Sequence, residues 1–356
     1  MWDSKRVASW VGGVVMGMGA YAAGVNDYGN YYNGIILGNL TTTGGDTEGR
    51  LLVTGNVSFN VGYSVGIPVI GAARPLTPGI DDLVVGGNLT TATSVPGTVP
   101  TLVALNAVAY GGTFSGNPID AGGAIVAIAG LQLNPANGNA LASGGDSMAA
   151  VVSGFQSDSL AMAALAERGV VSKVSEFGTT TLIGNDTELN IFTISSTDWV
   201  AGHTRVVNVP AGAEVLINIL GSSISYTGGT FEVQGTDRGN VVYNYPEATT
   251  FASASTLHEG AILAPFTTTV NLNGGAMNGL GVFGGSVSQI NGWEFHNFTF
   301  TGITSLPEPS TFVSGFGVLV ALGWCCQRRN QGSRRDQSPS SQCAHAPKGQ
   351  RVKANN

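Results

Sequence analysis

A short phrase that occurs three times decides the fold: Ile35-Ile36-Leu37-Gly38-Asn39-Leu40-Thr41, Leu52-Val53-Thr54-Gly55-Asn56-Val57-Ser58 and Val84-Val85-Gly86-Gly87-Asn88-Leu89-Thr90. Each copy has branched aliphatic residues, then a glycine, an asparagine, one more aliphatic residue and a hydroxyl residue. The asparagines are 17 and 32 residues apart, so the second interval is close to twice the first. A strand that recurs at such a period is typical of a solenoid, in which each turn of chain stacks on the previous one.

The glycine and the asparagine of the phrase have separate expected roles. The glycine is expected to allow a tight corner, and stacked asparagines can form an inward-facing, hydrogen-bonded ladder along the stack. The alternative is three ordinary antiparallel strands that end in Gly-Asn turns. The repetition of residue types, and not only of hydrophobicity, favours the solenoid.

The composition agrees with stacked strands and disfavours several functions. Only 10 % of the 356 residues are charged, and 53 are glycine. Residues 24–305 contain 19 acidic and 6 basic residues, a balance of −13, which disfavours binding to nucleic acid or to anionic membranes. The cysteines are confined to the C-terminal part of the chain, so disulfides cannot stabilise the body: Cys325, Cys326 and Cys343.

The N-terminus predicts a signal peptide over residues 1–22. Lys5 and Arg6 precede an apolar run, and small residues follow it at the spacing that signal peptidase requires. Cleavage is predicted between Ala22 and Ala23. The alternative is a retained N-terminal membrane anchor.

The C-terminus combines a Pro307-Glu308-Pro309 motif, an uncharged apolar segment over residues 312–326, and the pair Arg328 and Arg329. Fifteen helical residues span about 22 Å, less than the roughly 30 Å of bilayer hydrocarbon. Such a segment suits a temporary membrane anchor better than a permanent one. The arginines would remain cytoplasmic and the acidic body outside.

These three features resemble the PEP-CTERM sorting signal of Gram-negative bacteria. The resemblance implies a sorting signal over residues 305–329 and processing near the motif by an exosortase, a membrane cysteine protease. The family signal normally stops soon after the arginines, whereas residues 330–356 follow here. This tail is polar and basic and is predicted to be disordered. Retention of the apolar segment as a simple anchor is therefore the alternative.

The body contains one long predicted helix, over residues 146–168. Its apolar residues recur at helical spacing, Asp146 or Ser147 can cap its start, and Gly169 follows its end. Asp158 and Ser159 interrupt the apolar face, so the helix is expected to pack along the stack with partial cover. Residues 92–145, rich in Gly, Ala, Pro and Thr, are expected to form variable coils or loops. Strand patterning resumes after the helix, over residues 189–194, 205–209, 214–219, 241–245, 260–264, 270–272 and 280–283.

Residues 23–304 resemble the choice-of-anchor A domain through several matching segments: Ile35 to Leu40, Thr47 to Arg50, Val209 to Ala213, Ile217 to Ile219, Tyr243 to Ala248, Ile262 to Pro265, Asn278-Gly279 and Phe295-His296. Residues 92–145 match poorly. The resemblance implies a mostly β fold, an ice-binding-type right-handed β-solenoid with one long flanking α-helix. It implies surface proteins of adhesive role, joined to different anchoring tails, and it supplies no catalytic residues.

Residues with catalytic or metal-binding chemistry are few. His203, His258 and His296 lie singly, and no nucleophile elbow, phosphate loop or dinucleotide fingerprint is present, so the sequence predicts no enzyme and no cofactor. The weak candidates for calcium ligands are acidic residues that more often cap turns or stay solvated: Asp46, Glu48, Asp81 and Asp82.

The threonine runs 41–43 and 267–269 could lie on a flat face of the solenoid, the array that an ice-binding surface requires. Threonine is also a common outward-facing residue of ordinary strands. Five Asn-x-Ser/Thr sequons occur, and stacking explains the three within the repeated phrase better than glycosylation does: Asn39, Asn56, Asn88, Asn185 and Asn297.

These observations predict an exported, surface-attached β-solenoid with an adhesive or structural role at the cell surface or in the extracellular polymer matrix of a Gram-negative-type bacterium. Its expected partners are signal peptidase, exosortase and an extracellular polymer or surface ligand that is large, repetitive and neutral or basic. The alternatives are an ice-binding protein and, third, a polysaccharide-degrading β-helix enzyme, for which six basic residues in the body are few.

Overall fold

Short parallel strands form most of the computed structural model, which describes residues 24–67, 81–92 and 102–303. The predicted signal peptide, the sorting signal, the apolar segment 312–326 and the basic tail lie outside these described residues. In the described part the first strands are β1 (Gly34–Thr42), β2 (Asp46–Thr47), β3 (Leu51–Val53), β4 (Val57–Phe59), β5 (Tyr63–Val65), β6 (Asp81–Val85), β7 (Leu89–Thr91), β8 (Leu102–Ala104), β9 (Ala107–Tyr110), β10 (Phe114–Ser115), β11 (Ile119–Ala121) and β12 (Ile125–Ala127).

A small antiparallel sheet and a helix separate these strands from the second series. The small sheet consists of β13 (Gln132–Leu133), β14 (Ala140–Leu141) and β15 (Asp146–Ser147). The described helices are α1 (Val25–Tyr28), α2 (Met148–Ala163) and α3 (Ser196–Ala201), with one 3₁₀ turn at Arg238–Asn240.

The second series of strands follows α2. It consists of β16 (Val170–Glu176), β17 (Thr179–Gly184), β18 (Leu189–Ser195), β19 (Thr204–Asn208), β20 (Glu214–Leu220), β21 (Ser223–Thr227), β22 (Thr230–Gln234), β23 (Val241–Asn244), β24 (Thr250–Glu259), β25 (Ala261–Ala264), β26 (Thr269–Asn278), β27 (Gly281–Ile290) and β28 (Glu294–His296).

The strands stack in parallel register into three faces around one interior, which makes the body a β-solenoid. Face A runs β18-β20-β23-β25-β27-β1-β3-β6-β9-β12. Face B runs β21-β24-β26-β27-β1-β4-β7-β10. Face C runs β17-β19-β22-β24-β26-β28-β2-β5-β8-β11, and β16 pairs antiparallel with β17 at its edge.

The order of turns in the stack is not the order of the chain. The last long strand, β27, lies in parallel register on the first strand, β1, from Gly34 opposite Gly281 to Thr42 opposite Gln289. The turns that follow α2 therefore form one half of the stack, and the turns that precede it continue the same stack in the other half. We call the β27–β1 contact the seam.

Face A is buried on both sides, and this explains the consecutive aliphatic residues in the repeated phrase. Ile36 and its stacked equivalent Val53 point into the solenoid interior, whereas Ile35 and Leu52 point outward into a second core beneath α2. Parallel strands covered on both faces need apolar residues at successive positions rather than at alternate ones.

The helix predicted over residues 146–168 is present as α2, but it ends earlier. The Ser147 hydroxyl caps it by accepting from Ala150 N–H at 3.2 Å. The chain leaves the helix after Ala163, and Arg168 instead forms an antiparallel bridge with Ile191 of β18. The helical periodicity predicted one more turn, but Arg168, which would lie in it, forms backbone hydrogen bonds with β18 at the end of the stack instead.

Helix α2 is covered only in part, since Leu160 is 55 % exposed, but the two polar residues do not interrupt its covered side. Ser159 is buried, and its hydroxyl donates to Asn244 Oδ1 at 2.6 Å. The Asp158 carboxylate accepts from Val25 N–H at 2.7 Å and so holds the N-terminal segment against the helix.

The interpretation of residues 92–145 as coils is also wrong where the structure describes them. Strands β8 to β12 continue all three faces of the stack, pairing with β5, β6 and β7. These strands are only two to four residues long and rich in Ala and Gly, so they lack the alternation by which a strand is recognised in a single sequence.

Candidate functional site

Helix α2 covers face A, which leaves faces B and C with open outer surfaces. Face B is the more regular of the two. Its outward side chains form two rows of residues in register along the stack, and we call these rows one and two.

Row one carries a hydroxyl or amide side chain in every turn: Ser223, Thr250, Thr269, Ser286, Asn39, Asn56, Asn88 and Thr113. Row two does so in every turn but one: Ser225, Ala252, Asn271, Ser288, Thr41, Ser58, Thr90 and Ser115. The parts of these strands that pair within face B, such as residues 250–254 of β24, contain no charged residue among the described residues. At about 4.8 Å between strands, eight strands give a polar, uncharged surface about 34 Å long.

The asparagines of row one form the hydrogen-bonded ladder that the repeated phrase predicted, but the ladder lies on the outer surface of the solenoid. Asn39 Oδ1 accepts from the backbone N–H of Asn56 at 2.8 Å, and Asn56 Oδ1 accepts from Asn88 N–H at 2.8 Å. Asn88 Oδ1 accepts in turn from Thr113 N–H at 2.9 Å. All three asparagines are exposed at the corner between faces A and B, so the expectation of inward-facing side chains is wrong.

The glycine before each asparagine is required for space and not for a left-handed backbone. None of Gly38, Gly55 and Gly87 has a positive φ. A Cβ on Gly55 would lie 2.5 Å from Asn39 Oδ1, and one on Gly87 would overlap Asn56 Oδ1. The Gly-Asn pair is thus one unit, in which the glycine of each turn makes room for the side-chain oxygen of the turn before.

Hydroxyl groups on face B also bond to one another between turns. Thr250 Oγ1 donates to Ser223 Oγ at 3.1 Å, and Thr90 and Ser115 share a hydrogen bond of 3.3 Å. These bonds restrict the rotamers of the outward side chains before any partner binds.

The two predicted threonine runs contribute less to face B than their composition suggests. Thr41 and Thr269 point outward, but Thr42 is buried in the interior. Thr267 is buried at a corner, where its hydroxyl donates to Ala264 O at 2.8 Å and accepts from Gly284 N–H at 2.9 Å. The hydroxyl residues of β21 and β24, which complete the face, were missed. The alternation in Ser223-Ile224-Ser225-Tyr226-Thr227 was the available signal.

Face C carries the charges that face B lacks. Asp46 lies in register with Glu294 on the adjacent strand β28, and His296 Nε2 contacts Glu294 Oε2 at 3.0 Å. Burial, followed by the nearby Glu294 and Glu48 carboxylates, raises the pKa of Asp46 to about 6.

The weak calcium candidates fall into two places. Asp46 and Glu48 lie on β2 and directly after it, whereas Asp81 and Asp82 begin β6. Asp82 is buried and accepts hydrogen bonds from Asn106 N and Nδ2 at 2.6 and 3.1 Å. Among the described residues, no group of three or more histidine, cysteine or acidic side chains is arranged to hold a metal ion.

The histidines do not form a common site. His258 lies inside the solenoid, where Ser253 Oγ is 2.8 Å from its Nε2. Burial, followed by the positive charge of Arg205, lowers the pKa of His258 to about 3. His296 is on face C, and its Nδ1 is 2.6 Å from Asn278 Oδ1.

A family model described as "Putative Ice-binding-like adhesive domain" matches residues 26–297, three quarters of the chain and nearly all of the solenoid. The chain belongs to this ice-binding-like adhesive domain family. The family is adhesive by description rather than enzymatic.

Solved structures similar to this ice-binding-like domain are ice-binding proteins with low sequence identity. One from the Antarctic ascomycete Antarctomyces psychrotrophicus has 10 % identity and a TM-score of 0.31, and covers 76 % of this chain and 96 % of its own. One from an Antarctic biological consortium has 14 % identity and a TM-score of 0.37, with 76 % and 89 % coverage. One from an Arctic yeast has 11 % identity and a TM-score of 0.29, with 80 % and 96 % coverage. No curated protein matches in sequence.

The described helices include none that is both long and apolar enough to cross a membrane.

Proposed function

We propose that face B is an adhesive surface that binds a large, repetitive and uncharged partner. The observation that carries this proposal is the pair of uncharged rows of Ser, Thr and Asn along eight strands. The acidic groups lie elsewhere, so neither attraction nor repulsion by charge selects the partner at this face. The adhesive description of the family supports this function.

Many weak contacts at a regular interval favour a periodic ligand. A stack repeats the same side chain about every 4.8 Å, so each added repeat of a long partner adds further contacts without a new loss of translational freedom. Binding should therefore increase steeply with partner length and be nearly absent for a monosaccharide.

Two double variants that each add two positive charges, one on face B and one on face C, are compared for binding. Thr41→Lys with Asn271→Lys places two charges in row two of face B. The control is Thr230→Lys with Gln234→Lys, which alters exposed outward positions on face C. Binding to insoluble neutral polysaccharides and to an oligosaccharide length series should fall at least tenfold for the face B variant and remain unchanged for the control. Equal loss in both variants, or tight one-to-one binding of a monosaccharide, would contradict the proposal.

Ice is the second candidate partner. The family description reads ice-binding-like, and regular rows of hydroxyl groups form an array suited to an ordered water lattice. Thermal hysteresis and recrystallisation assays on the same two variants distinguish this function. Hysteresis that disappears only with the face B substitutions would favour ice over a polymer.

We further propose that the domain is exported and sorted as a choice-of-anchor A protein with a PEP-CTERM signal. Signal peptidase would cleave after Ala22, and an exosortase would act near Pro307-Glu308-Pro309 while residues 312–326 cross the membrane and Arg328 and Arg329 remain cytoplasmic. Mass spectrometry of the cell-surface fraction should recover a chain that begins at Ala23 and lacks residues 312–356. Peptides from residues 1–19 in the surface form would contradict export with cleavage, and an attached C-terminal part would indicate a retained anchor.

A further inference from the structure

The two ends of the solenoid are built differently. At the end formed by β16, β17 and β18, which we call the capped end, the edge of β17 and part of the edge of β18 are covered. Strand β16 pairs with β17 in a hairpin, and Arg168 exchanges backbone hydrogen bonds of 3.1 and 2.9 Å with Ile191. The backbone of Thr193 is covered by side chains, since its N–H donates to Glu167 Oε1 at 2.8 Å and its carbonyl accepts from Lys173 Nζ at 2.9 Å.

The opposite end, formed by β10, β11 and β12, lacks such cover among the described residues, and we call it the open end. Each of its three strands pairs with a described neighbour along one edge only, namely β7, β8 and β9. The other edge therefore presents backbone groups that can accept another strand.

The apolar interior also reaches the surface at the open end. Phe114 continues the inward column of Leu89, and Ile125 continues that of Val108. Leu89 and Val108 are fully buried, but Phe114 is 36 % and Ile125 is 44 % exposed because no described turn follows them. Val126, which follows on the helix side of the same strand, is 43 % exposed.

Charge does not protect this end from association. Residues 102–128 contain one charged residue, Asp120. Natural proteins commonly shield strand edges with lysines or other charges, as Glu167 and Lys173 do at the capped end. In the part of the chain that the structure describes, the open end has an apolar centre, strands β10, β11 and β12 each paired along one edge, and one charged residue.

We propose that the open end binds the open end of a second copy of this chain about a two-fold axis. A two-fold axis perpendicular to the stack reverses the strand direction, so the end strands of the two copies meet antiparallel, and antiparallel pairing satisfies their free edges. The surface of the open end is nearly neutral, so two copies can meet there with little electrostatic repulsion. A strongly charged partner would find almost no opposite charge at this end to bind. This inference does not depend on what face B binds.

The test uses the absence of cysteine from the body. In the full-length chain, with Cys325, Cys326 and Cys343 changed to serine and the protein purified in mild detergent, Val126→Cys adds the sole thiol. The matched control is Ile183→Cys, 36 % exposed at the capped end. A flexible bis-maleimide should cross-link the Val126→Cys protein into a dimer and leave the Ile183→Cys protein monomeric. Absence of the dimer, or equal cross-linking of both variants, overturns the proposal.

A second measurement separates this contact from association through other parts of the chain. Native mass spectrometry should show a dimer of the unmodified protein at micromolar concentration, and Val126→Arg should raise its dissociation constant at least tenfold. The melting temperature of the variant monomer should be unchanged, since Val126 is already exposed. A Val126→Arg protein that dimerises as strongly as the unmodified chain overturns the proposal, as does an unmodified chain that remains monomeric.

Discussion

The side-chain oxygen of Asn39 lies 2.8 Å from the backbone nitrogen of Asn56, seventeen residues later, and accepts its hydrogen bond. The same contact is repeated from Asn56 to Asn88. An amide side chain therefore replaces a backbone acceptor at the corner where the chain turns from face A to face B. Solvent can reach this bond, because all three asparagines are exposed.

Removal of one ladder side chain should be tolerated. Asn56→Ala leaves the Asn88 N–H to be solvated by water, so the expected loss in unfolding free energy is about 1 kcal/mol, near that of an ordinary hydrogen bond. Urea denaturation of the purified protein measures this loss. A loss above about 3 kcal/mol would show that the bond is shielded from water, contrary to the exposed position of these side chains.

The neighbouring glycine should be less tolerant than the asparagine. In Gly87→Ala the new Cβ overlaps Asn56 Oδ1 and lies 2.9 Å from the carbonyl oxygen of Gly55, so the turns must separate. Overpacking of this kind costs about 1–3 kcal/mol. Gly62→Ala is the matched control, because a Cβ there has no atom within 4 Å and the φ is not positive. Equal melting temperatures for the two variants would contradict the spatial explanation of the Gly-Asn pair.

The contact between α2 and face A depends on a buried amide pair. Asn244 Nδ2 donates to Ser159 O at 2.9 Å and to Asn218 Oδ1 at 2.8 Å, and Asn218 Nδ2 donates to Met162 O at 2.9 Å. Asn244→Ala leaves these buried groups with fewer partners, so we expect a loss of about 2–3 kcal/mol in the free energy of unfolding. Asn271→Ala, on exposed face B, should change it by less than about 0.5 kcal/mol. Similar small changes for both variants would contradict the role of the amide pair in holding the helix.

The contact between β2 and β28 should make stability depend on pH. The pKa of Asp46 is raised to about 6 in the folded protein by burial and by the Glu294 and Glu48 carboxylates, whereas an aspartate in an unfolded chain titrates near 3.9. The folded state therefore binds this proton more tightly, and ionisation of Asp46 lowers stability as the pH rises from about 4 through about 6. Asp46→Asn should consequently raise the melting temperature relative to the unmodified protein more at pH 7.5 than at pH 3.5. A difference that does not change with pH would contradict this explanation.

The solenoid and its long helix could be predicted from local sequence patterns. The repeated aliphatic-Gly-Asn phrase predicted stacked turns because the same residue types recur at the same corner, and the 3.6-residue spacing after Asp146 predicted α2. Many strands after α2 were also predicted, since runs such as Glu214 to Ile219 are mainly branched aliphatic and follow turn residues. These features are local, and a local pattern can be recognised without knowledge of its partners.

The order of the turns, the extent of the stack and the exposure of its side chains depend on contacts between distant parts of the chain, and local patterns did not predict them. The seam pairs residues that are 247 positions apart, from Gly34 with Gly281 to Thr42 with Gln289, and no pattern within either strand identifies its partner. The strands of the open end are too short and too rich in small residues for a periodicity to appear. The asparagines face outward because the glycine of the next turn leaves room at the corner, a relation that exists only after the turns are stacked. Face B likewise exists only after the turns are stacked. Its two rows combine residues from eight separate strands, and the register between those strands brings the residues onto one surface.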